Sequence, residues 1–300
     1  MLLNAFIEQG IKALEPLYPT PEARQMILML CEETLGIKNY THIVNPDYEI
    51  SKPDTDMLLA KLDDLSRGMP LQYALGFADF CGLRFKVSPA VLIPRPETEL
   101  LVRDALQQAS RISRMRAAYG KSAEPVRVLD LCTGSGCIAW SIALNLPGTV
   151  VVGTDISEDA LEVARSQDFA AELKARQVTA PVFVKSDILD TEQEFPYGPF
   201  DIILSNPPYI LPSEKAQMRV NVLGFEPEGA LFVPQENPML YYRAIARWSD
   251  RFLVPEGKAL TEINALLAEE TKEVFRRAGY TGIEVIKDFF YKNRFILYYK

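Results

Sequence analysis

From residue 126 onward, short apolar runs rich in valine and isoleucine alternate with helical stretches. The runs are Val126–Leu131, Thr149–Asp155, Pro181–Asp187 and Phe200–Leu204. Parallel strands cannot be joined by tight hairpins, so this alternation predicts a parallel sheet with helices on both faces. The near-continuous hydrophobicity of the runs fits strands buried on both sides. Further along, Tyr241–Phe252 reads as a helix, Lys258–Asn264 as a strand and Leu266–Ala278 as a helix ended by Gly279. Gly282–Phe289 and Arg294–Lys300 close the chain as a strand pair.

The turns at the strand ends carry the chemistry. Val126–Leu131 runs into Cys132-Thr133-Gly134-Ser135-Gly136-Cys137, followed by a helix over Ile138–Leu146. Glycines 134 and 136 let the backbone approach a ligand closely. A lone G-x-G is common, but here the next strand ends in Asp155, 19 positions beyond Gly136. An acid at that place accepts hydrogen bonds from ribose hydroxyls in doubly wound α/β folds. The third glycine of a dinucleotide loop is missing, and no pyrophosphate has to be held. S-adenosylmethionine therefore fits the loop better than NAD. The third run, Pro181–Asp187, ends in another acid.

The fourth run ends in Ser205-Asn206-Pro207-Pro208-Tyr209. Two consecutive prolines fix φ and remove two N–H donors, so this turn presents acceptors. The Asn206 side-chain oxygen beside the Pro207 carbonyl makes a pair suited to gripping one planar –NH2 group. Such a clamp suits methylation of an amino or amide nitrogen.

Composition removes other classes. The single histidine, His42, leaves no His–His metal site and no Ser-His-Asp triad, and reads as structural. No metal ligand set is expected. Four cysteines (Cys31, Cys81, Cys132, Cys137) form no C-x-x-C pair, which predicts free thiols in a reducing cytoplasm. The net charge of −8 argues against a duplex nucleic-acid binder. The one basic stretch, Arg103–Arg127 with Arg111, Arg114, Arg116 and Lys121, reads as a solvated helix end and loop. No apolar run approaches the roughly 20 residues that span a bilayer. The opening MLLNAFIEQG lacks the basic region of a secretory signal, so a cytoplasmic protein without membrane contact is expected.

The first part of the chain, residues 1–73, reads as a small helical domain. Phe6, Ile7, Ile11 and Leu14 recur at helical spacing, as do Met26, Ile27, Leu30 and Leu35. Thr20 is expected as an N-cap with Pro21 at the first helical position. Asp54–Leu65 predicts a further helix. Residues 74–93 follow as a β-hairpin connector around Gly82, and 94–300 form the α/β domain. Pro94 and Pro96 stiffen the entry to a helix beginning near Glu97. Leu211–Pro238 reads as a long polar loop beside the site, suited to covering a substrate.

With these motifs in view, the chain resembles the N5-glutamine methyltransferases that modify peptide chain release factors. The likeness rests on Pro70-Leu-Gln-Tyr with Gly76, on Ile93-Pro-Arg-Pro-Glu-Thr-Glu99 and on Asp130-Leu-Cys-Thr-Gly-Ser-Gly136. It continues through Asp155, Ser205-Asn-Pro-Pro-Tyr-Ile210, Glu226-Pro with Ala230-Leu231, and Lys292-Asn-Arg-Phe295. The resemblance implies a class I S-adenosylmethionine-dependent methyltransferase fold, Rossmann-like, with a seven-stranded mostly parallel sheet. The helical domain would help to dock a release factor. Cys132, Thr133, Gly134, Ser135 and Gly136 would wrap the methionine end of the cofactor, and Asp155 would hold its ribose. Asp187 and Ile188 would lie near adenine, with Asn206 at the reactive end. Asn206 and Pro207 would hold the substrate amide, Tyr209 would pack on it, and Pro208, Arg95 and Glu97 would line its approach. The substrate would be the glutamine of a Gly-Gly-Gln loop, with S-adenosylhomocysteine as product, and the enzyme would act as a monomer without direct nucleic-acid contact. Two positions depart from the family pattern. Cys132 stands where glycine is usual, a change the turn accepts if φ there is negative. Ile188 stands where some relatives carry an aromatic residue.

Three other readings share parts of this evidence. A glutamine methyltransferase acting on a ribosomal protein would use the same clamp. An adenine-N6 methyltransferase would also present an –NH2 to it, but needs a basic target-reading surface. A non-catalytic cofactor-binding module, or another Rossmann-type enzyme, would leave Asn206 remote from the cofactor.

Overall fold

The structure, a computed structural model, describes residues 1–120 and 124–300; Lys121 of the basic stretch lies outside the described residues. The chain divides into two compact units, Met1–Phe77 with Met218–Phe225, and Ala78–Gln217 with Glu226–Lys300.

The first unit is helical. It contains α1 (Leu3–Leu14), α2 (Thr20–Leu35), α3 (Thr41–Val44), α4 (Lys52–Ser66) and α5 (Leu71–Leu75). Phe6, Ile7 and Leu14 of α1 meet Ile27 and Leu30 of α2 and Leu58, Leu62 and Leu65 of α4 in one buried cluster. Gly10 permits the close crossing of α1 and α2, since a Cβ there would lie 2.7 Å from Ile27 Cδ1. Ser51 caps α4 by accepting the Asp54 N–H at 3.3 Å. The cap of α2 differs from expectation: Pro19 holds that position, Thr20 is already helical, and no side chain caps the end. His42 Nδ1 lies 2.8 Å from the Asn39 carbonyl, and its Nε2 lies 3.2 Å from Arg24 Nη2. Both ring nitrogens are thus used in holding this unit together, as the structural reading of His42 requires.

In the second unit, β1 (Phe77–Phe80) and β2 (Leu83–Lys86) form the expected hairpin. It turns at Cys81 and Gly82, both at positive φ. Next come α6 (Thr98–Ala118), β3 (Val126–Leu131), α7 (Cys137–Asn145), β4 (Thr149–Asp155), α8 (Glu158–Arg165), α9 (Ala170–Arg176), β5 (Val182–Lys185) and β6 (Phe200–Ser205). Within the basic stretch Arg111 and Arg114 are exposed, as expected of a solvated helix end, while Arg116 and Arg127 are committed within the protein. Arg116 pairs with Asp201 and donates to the Pro125 carbonyl at 2.7 Å, and the Arg127 guanidinium donates to the carbonyls of Pro199 and Tyr197.

The segment after β6, Leu211–Pro238, is long for a structureless loop and indeed carries short helical elements. It holds a 3-10 turn (Pro212–Gln217), α10 (Val220–Phe225) and α11 (Glu228–Leu231). The α10 residues belong to the first unit, where Arg219 pairs with Glu22. The chain ends with α12 (Leu240–Phe252), β7 (Leu253–Glu262), a 3-10 turn (Ala265–Leu267), α13 (Ala268–Arg277), β8 (Gly282–Lys287) and β9 (Asn293–Tyr299). Strand β7 starts five residues earlier than expected because Leu253 pairs with Phe200 ahead of a bulge. The helix expected from Leu266 opens as the 3-10 turn.

Seven strands form one sheet in the order β5-β4-β3-β6-β7-β9-β8. All neighbours are parallel except β7–β9 and β8–β9. This is the class I methyltransferase architecture expected from the sequence. Alternate residues of each strand feed opposite cores: Val128, Ile202 and Leu204 pack with α6 and α7, while Leu129, Ile203 and Ala259 pack with α12. The chain leaves β3 toward β4 and β5, then returns to β6 on the other side of β3. Ligands of open α/β sheets bind outside the carboxyl ends at such a reversal.

Register makes this crevice specific. Leu131 pairs with Thr154 on one side and Ser205 on the other, and Ser205 pairs with Thr261. The next residues, Cys132, Asp155, Asn206 and Glu262, therefore stand in one row along the sheet edge. Beneath them Gly136 sits at φ +77, where an added Cβ would lie 2.9 Å from Phe183 Cζ and 3.1 Å from Ala164 Cβ. Gly136→Ala combines strain with overpacking and is expected to lower stability by about 2–3 kcal/mol. Urea titration of the two proteins checks this, and an unchanged midpoint would show that Phe183 yields freely.

Candidate active site

A cavity of about 350 Å³ opens at the reversal, within the range of small-molecule sites. Its floor is the turn after β3. Cys132, Thr133, Gly134 and Ser135 lie on the cavity wall, together with Asp155, Asp187 and Ile188 from the next two strand ends. Asn206 and Pro208 enter from the β6 end, and Arg95 from the proline segment before α6. Gly136, Pro207, Tyr209 and Glu97 are not on the wall. Gly136 and Pro207 are buried residues, and Glu97 stands half-buried at the N-cap of α6.

Each wall residue is fixed by a local bond. Thr133 N–H donates to the Thr154 carbonyl at 2.9 Å, and its hydroxyl donates to Asp130 Oδ2 at 2.6 Å. Asp130 is fully buried, and burial pushes its carboxyl up to about 7. Gln167 ties the loop to the hairpin: its Nε2 donates to the Ser135 carbonyl at 3.2 Å and to the Lys86 carbonyl at 3.0 Å. Ile188 is positioned through its carbonyl, which accepts the Trp248 indole N–H at 2.9 Å.

Asp155 turns its carboxylate onto the loop. Its Oδ2 accepts the Gly134 N–H at 2.9 Å and its Oδ1 accepts the Ser157 N–H at 3.0 Å. A carboxylate offers about four lone-pair sites, so two remain for a ligand. Burial raises its pKa, and backbone N–H groups of Ser157, Gly134 and Ile156 oppose that rise by favouring the anion.

The condition attached to Cys132, a negative φ, is not met: its φ is +61, and the turn forms all the same. The turn therefore holds a non-glycine residue in the left-handed region, where an L side chain crowds the following carbonyl by roughly 1–2 kcal/mol. Cysteine is small and unbranched, which explains why it is tolerated. Burial, first, and the nearby Asp155 and Asp130 raise its thiol well above the usual range, so it stays protonated. Cys132→Val places a β-branched residue at this φ and is expected to cost about 2 kcal/mol of stability. Cys132→Gly is expected to be tolerated. Thermal denaturation of both variants tests the pair, and equal melting of the valine and glycine proteins would refute it.

The Asn-Pro-Pro-Tyr turn is held on its far side. Tyr209 donates its hydroxyl to Glu262 Oε1 at 2.9 Å, and the Tyr209 carbonyl accepts from Asn264 Nδ2 at 3.2 Å. Asn206 Nδ2 lies 3.4 Å from Thr98 Oγ1. Among the described residues no donor reaches Asn206 Oδ1 or the Pro207 carbonyl. Glu226 closes the opposite wall: it accepts Arg95 Nη2 at 2.6 Å and the Ile93 N–H at 3.2 Å while itself only 5% exposed.

Several of these residues escaped the sequence reading. Thr98 and Tyr241 line the cavity, and Glu262 anchors Tyr209, yet none was singled out. Glu262 ends a strand as Asp155 does, and that signal was available. Thr98 lies inside the quoted Pro-Arg-Pro-Glu-Thr-Glu segment.

The residues present suit an S-adenosylmethionine-type donor. The floor exposes backbone at Gly134, where an added Cβ would meet nothing within 4 Å, so the loop leaves open space above it. An acid with spare acceptor capacity stands one strand away, and Ile188 offers an apolar surface to a ring.

Comparison with known proteins agrees with this geometry. Residues 123–284 match the family model described as "Methyltransferase domain". A release factor glutamine methyltransferase of Bacteroides thetaiotaomicron is 36% identical over 98% of both chains. One of Flavobacterium psychrophilum is 34% identical over 99% of this chain and 98% of its own. One of Chlorobaculum tepidum is 34% identical over 89% and 87%. Likeness of this extent, running through both units of the chain, places it in the family of release factor glutamine methyltransferases.

Proposed function

We propose that this protein transfers a methyl group from S-adenosylmethionine to the side-chain amide nitrogen of the glutamine in a release factor's Gly-Gly-Gln loop. The observation that carries the reading is Asn206, on the wall of the cavity floored by the glycine loop, with an Oδ1 that no donor among the described residues reaches. When bound, the cofactor supplies an electrophilic methyl on a sulfonium. The chain's residues do the rest. Thr133 to Ser135 and Asp155 hold the donor, and Asp187 and Ile188 border its base.

An amide nitrogen is a poor nucleophile because its lone pair is shared with the carbonyl. Two bonds from the substrate –NH2, to Asn206 Oδ1 and to the Pro207 carbonyl, orient the nitrogen and favour its pyramidalisation. Orientation of this kind supplies much of the acceleration once the reacting atoms approach within about 3–3.5 Å. The nitrogen becomes acidic as it gains the methyl, so its proton leaves to solvent without a strong base. The helical unit docks the release factor, and the enzyme works as a cytoplasmic monomer.

The test is mass spectrometry of a bacterial release factor after incubation with the enzyme and S-adenosylmethionine. A gain of about 14 Da, one CH2, on the Gly-Gly-Gln glutamine is expected. Label on a ribosomal protein instead would move the substrate and keep the chemistry. No transfer to either would refute the reading.

A further inference from the structure

Asn206 can serve as an acceptor only if its amide faces the right way, since a flipped side chain would offer –NH2 to –NH2. The structure contains a device that sets this choice. Glu262 is buried at the end of β7, with Oε1 accepting from Tyr209 at 2.9 Å and Oε2 accepting from Thr98 Oγ1 at 2.8 Å. Burial raises the pKa of Glu262, and the hydroxyls of Thr98 and Tyr209 oppose that rise by donating to its carboxylate. In that arrangement each hydroxyl points its single proton at Glu262. With its proton committed, Thr98 Oγ1 retains only lone pairs toward Asn206. The group 3.4 Å away must then be the Nδ2 donor. That leaves Oδ1 with no protein donor among the described residues, on a side chain that lines the cavity.

We propose that Thr98 and Glu262 are positioning residues that lock the Asn206 amide with its oxygen toward substrate, and so make the site select –NH2 over a carboxylate. This rests on the glutamine-methylation reading above. Two consequences distinguish it from a merely structural role. Removal of the Thr98 hydroxyl frees the Asn206 amide to rotate, so turnover falls while the bonds that shape the donor loop, Asp155 to Gly134 and Thr133 to Thr154, do not involve Thr98 and persist. The flipped amide also presents a donor, which welcomes a carboxylate. Discrimination between glutamine and glutamate at the accepting position therefore weakens.

The experiment uses Thr98→Val, Thr98→Ser and wild type, with a release factor and its Gln→Glu variant at the Gly-Gly-Gln glutamine. Binding of each is measured by calorimetry in the presence of S-adenosylhomocysteine, alongside kcat and cofactor affinity. For Thr98→Val we expect kcat to fall about tenfold, the kinetic equivalent of one hydrogen bond's worth of orientation. The glutamine-over-glutamate preference should fall by about the same factor, with cofactor affinity unchanged. Thr98→Ser keeps the hydroxyl and should restore both. Glu262→Gln, which can donate as well as accept, should loosen the preference in the same direction. The proposal is overturned if Thr98→Val keeps the preference, if Thr98→Ser fails to rescue it, or if cofactor affinity falls in step with turnover. A wild type that binds the release factor but ignores the glutamine-to-glutamate change overturns the proposal alone. A wild type that neither binds nor methylates the release factor overturns the functional reading and this inference with it.

Discussion

Asn206→Ala should reduce turnover by about 10²–10³-fold while leaving cofactor affinity within about twofold of wild type. The division follows from geometry. Asn206 Oδ1 is an acceptor that no donor among the described residues uses, so its value is realised only when a substrate –NH2 is present. The donor site rests on different bonds: Asp155 to Gly134, Thr133 to Thr154, Gln167 to Ser135. None passes through the Asn206 side chain. Truncation also leaves Thr98 hydrogen-bonded to Glu262, so the site should not collapse. Steady-state kinetics with a release factor, paired with calorimetry for S-adenosylhomocysteine, separates the two effects. A loss in kcat confined to threefold, or a parallel loss of cofactor affinity, would show that Asn206 is not the group that orients the nucleophile.

The parts of this molecule that could be read in advance are those where one residue type has one physical outcome. Val126–Leu131 and Phe200–Ser205 are buried on both faces, so their uninterrupted hydrophobicity announced parallel strands. Register then did the positioning, because adjacent strands that end level bring their following residues together. Two of the four residues in that row, Asp155 and Asn206, were identified from strand-end chemistry, and Cys132 only from the family resemblance. The fourth, Glu262, is linked to Thr98 across 164 residues, a pairing that no local pattern encodes. At Cys132 the sequence sets only a condition, that the turn accepts a side chain if φ is negative. The turn in fact imposes +61° and the cysteine tolerates it. Leu211–Pro238 was read as one stretch beside the site, and its Pro227, Gly229 and Ala230 do line the cavity. That Val220 and Phe225 of the same stretch lie against Gly68 in the helical unit is a tertiary contact that chain proximity does not reveal.

Asp155→Ala is expected to produce the complementary result, raising the cofactor dissociation constant by about 10²-fold, or roughly 2.7 kcal/mol. Two losses contribute. The ribose hydroxyls lose a charged acceptor, and the Gly134 and Ser157 N–H groups lose the partners that hold the loop in shape. Hydrogen bonds to a charged group contribute about 1.5–3 kcal/mol each, so the forecast needs only part of this set. Gly134 sits at φ +54 and depends on its bond to Asp155 to keep that N–H facing β4. Asp155→Asn should be impaired too, because its –NH2 must face one of two backbone donors. Binding of the release factor by the cofactor-free variant should match wild type, since the Asn206 turn is anchored through Glu262 and Asn264 instead. Calorimetry with S-adenosylhomocysteine and with the release factor gives both numbers. If the cofactor constant shifts by less than threefold, Asp155 is a loop brace alone, and the ribose must be held elsewhere on the wall.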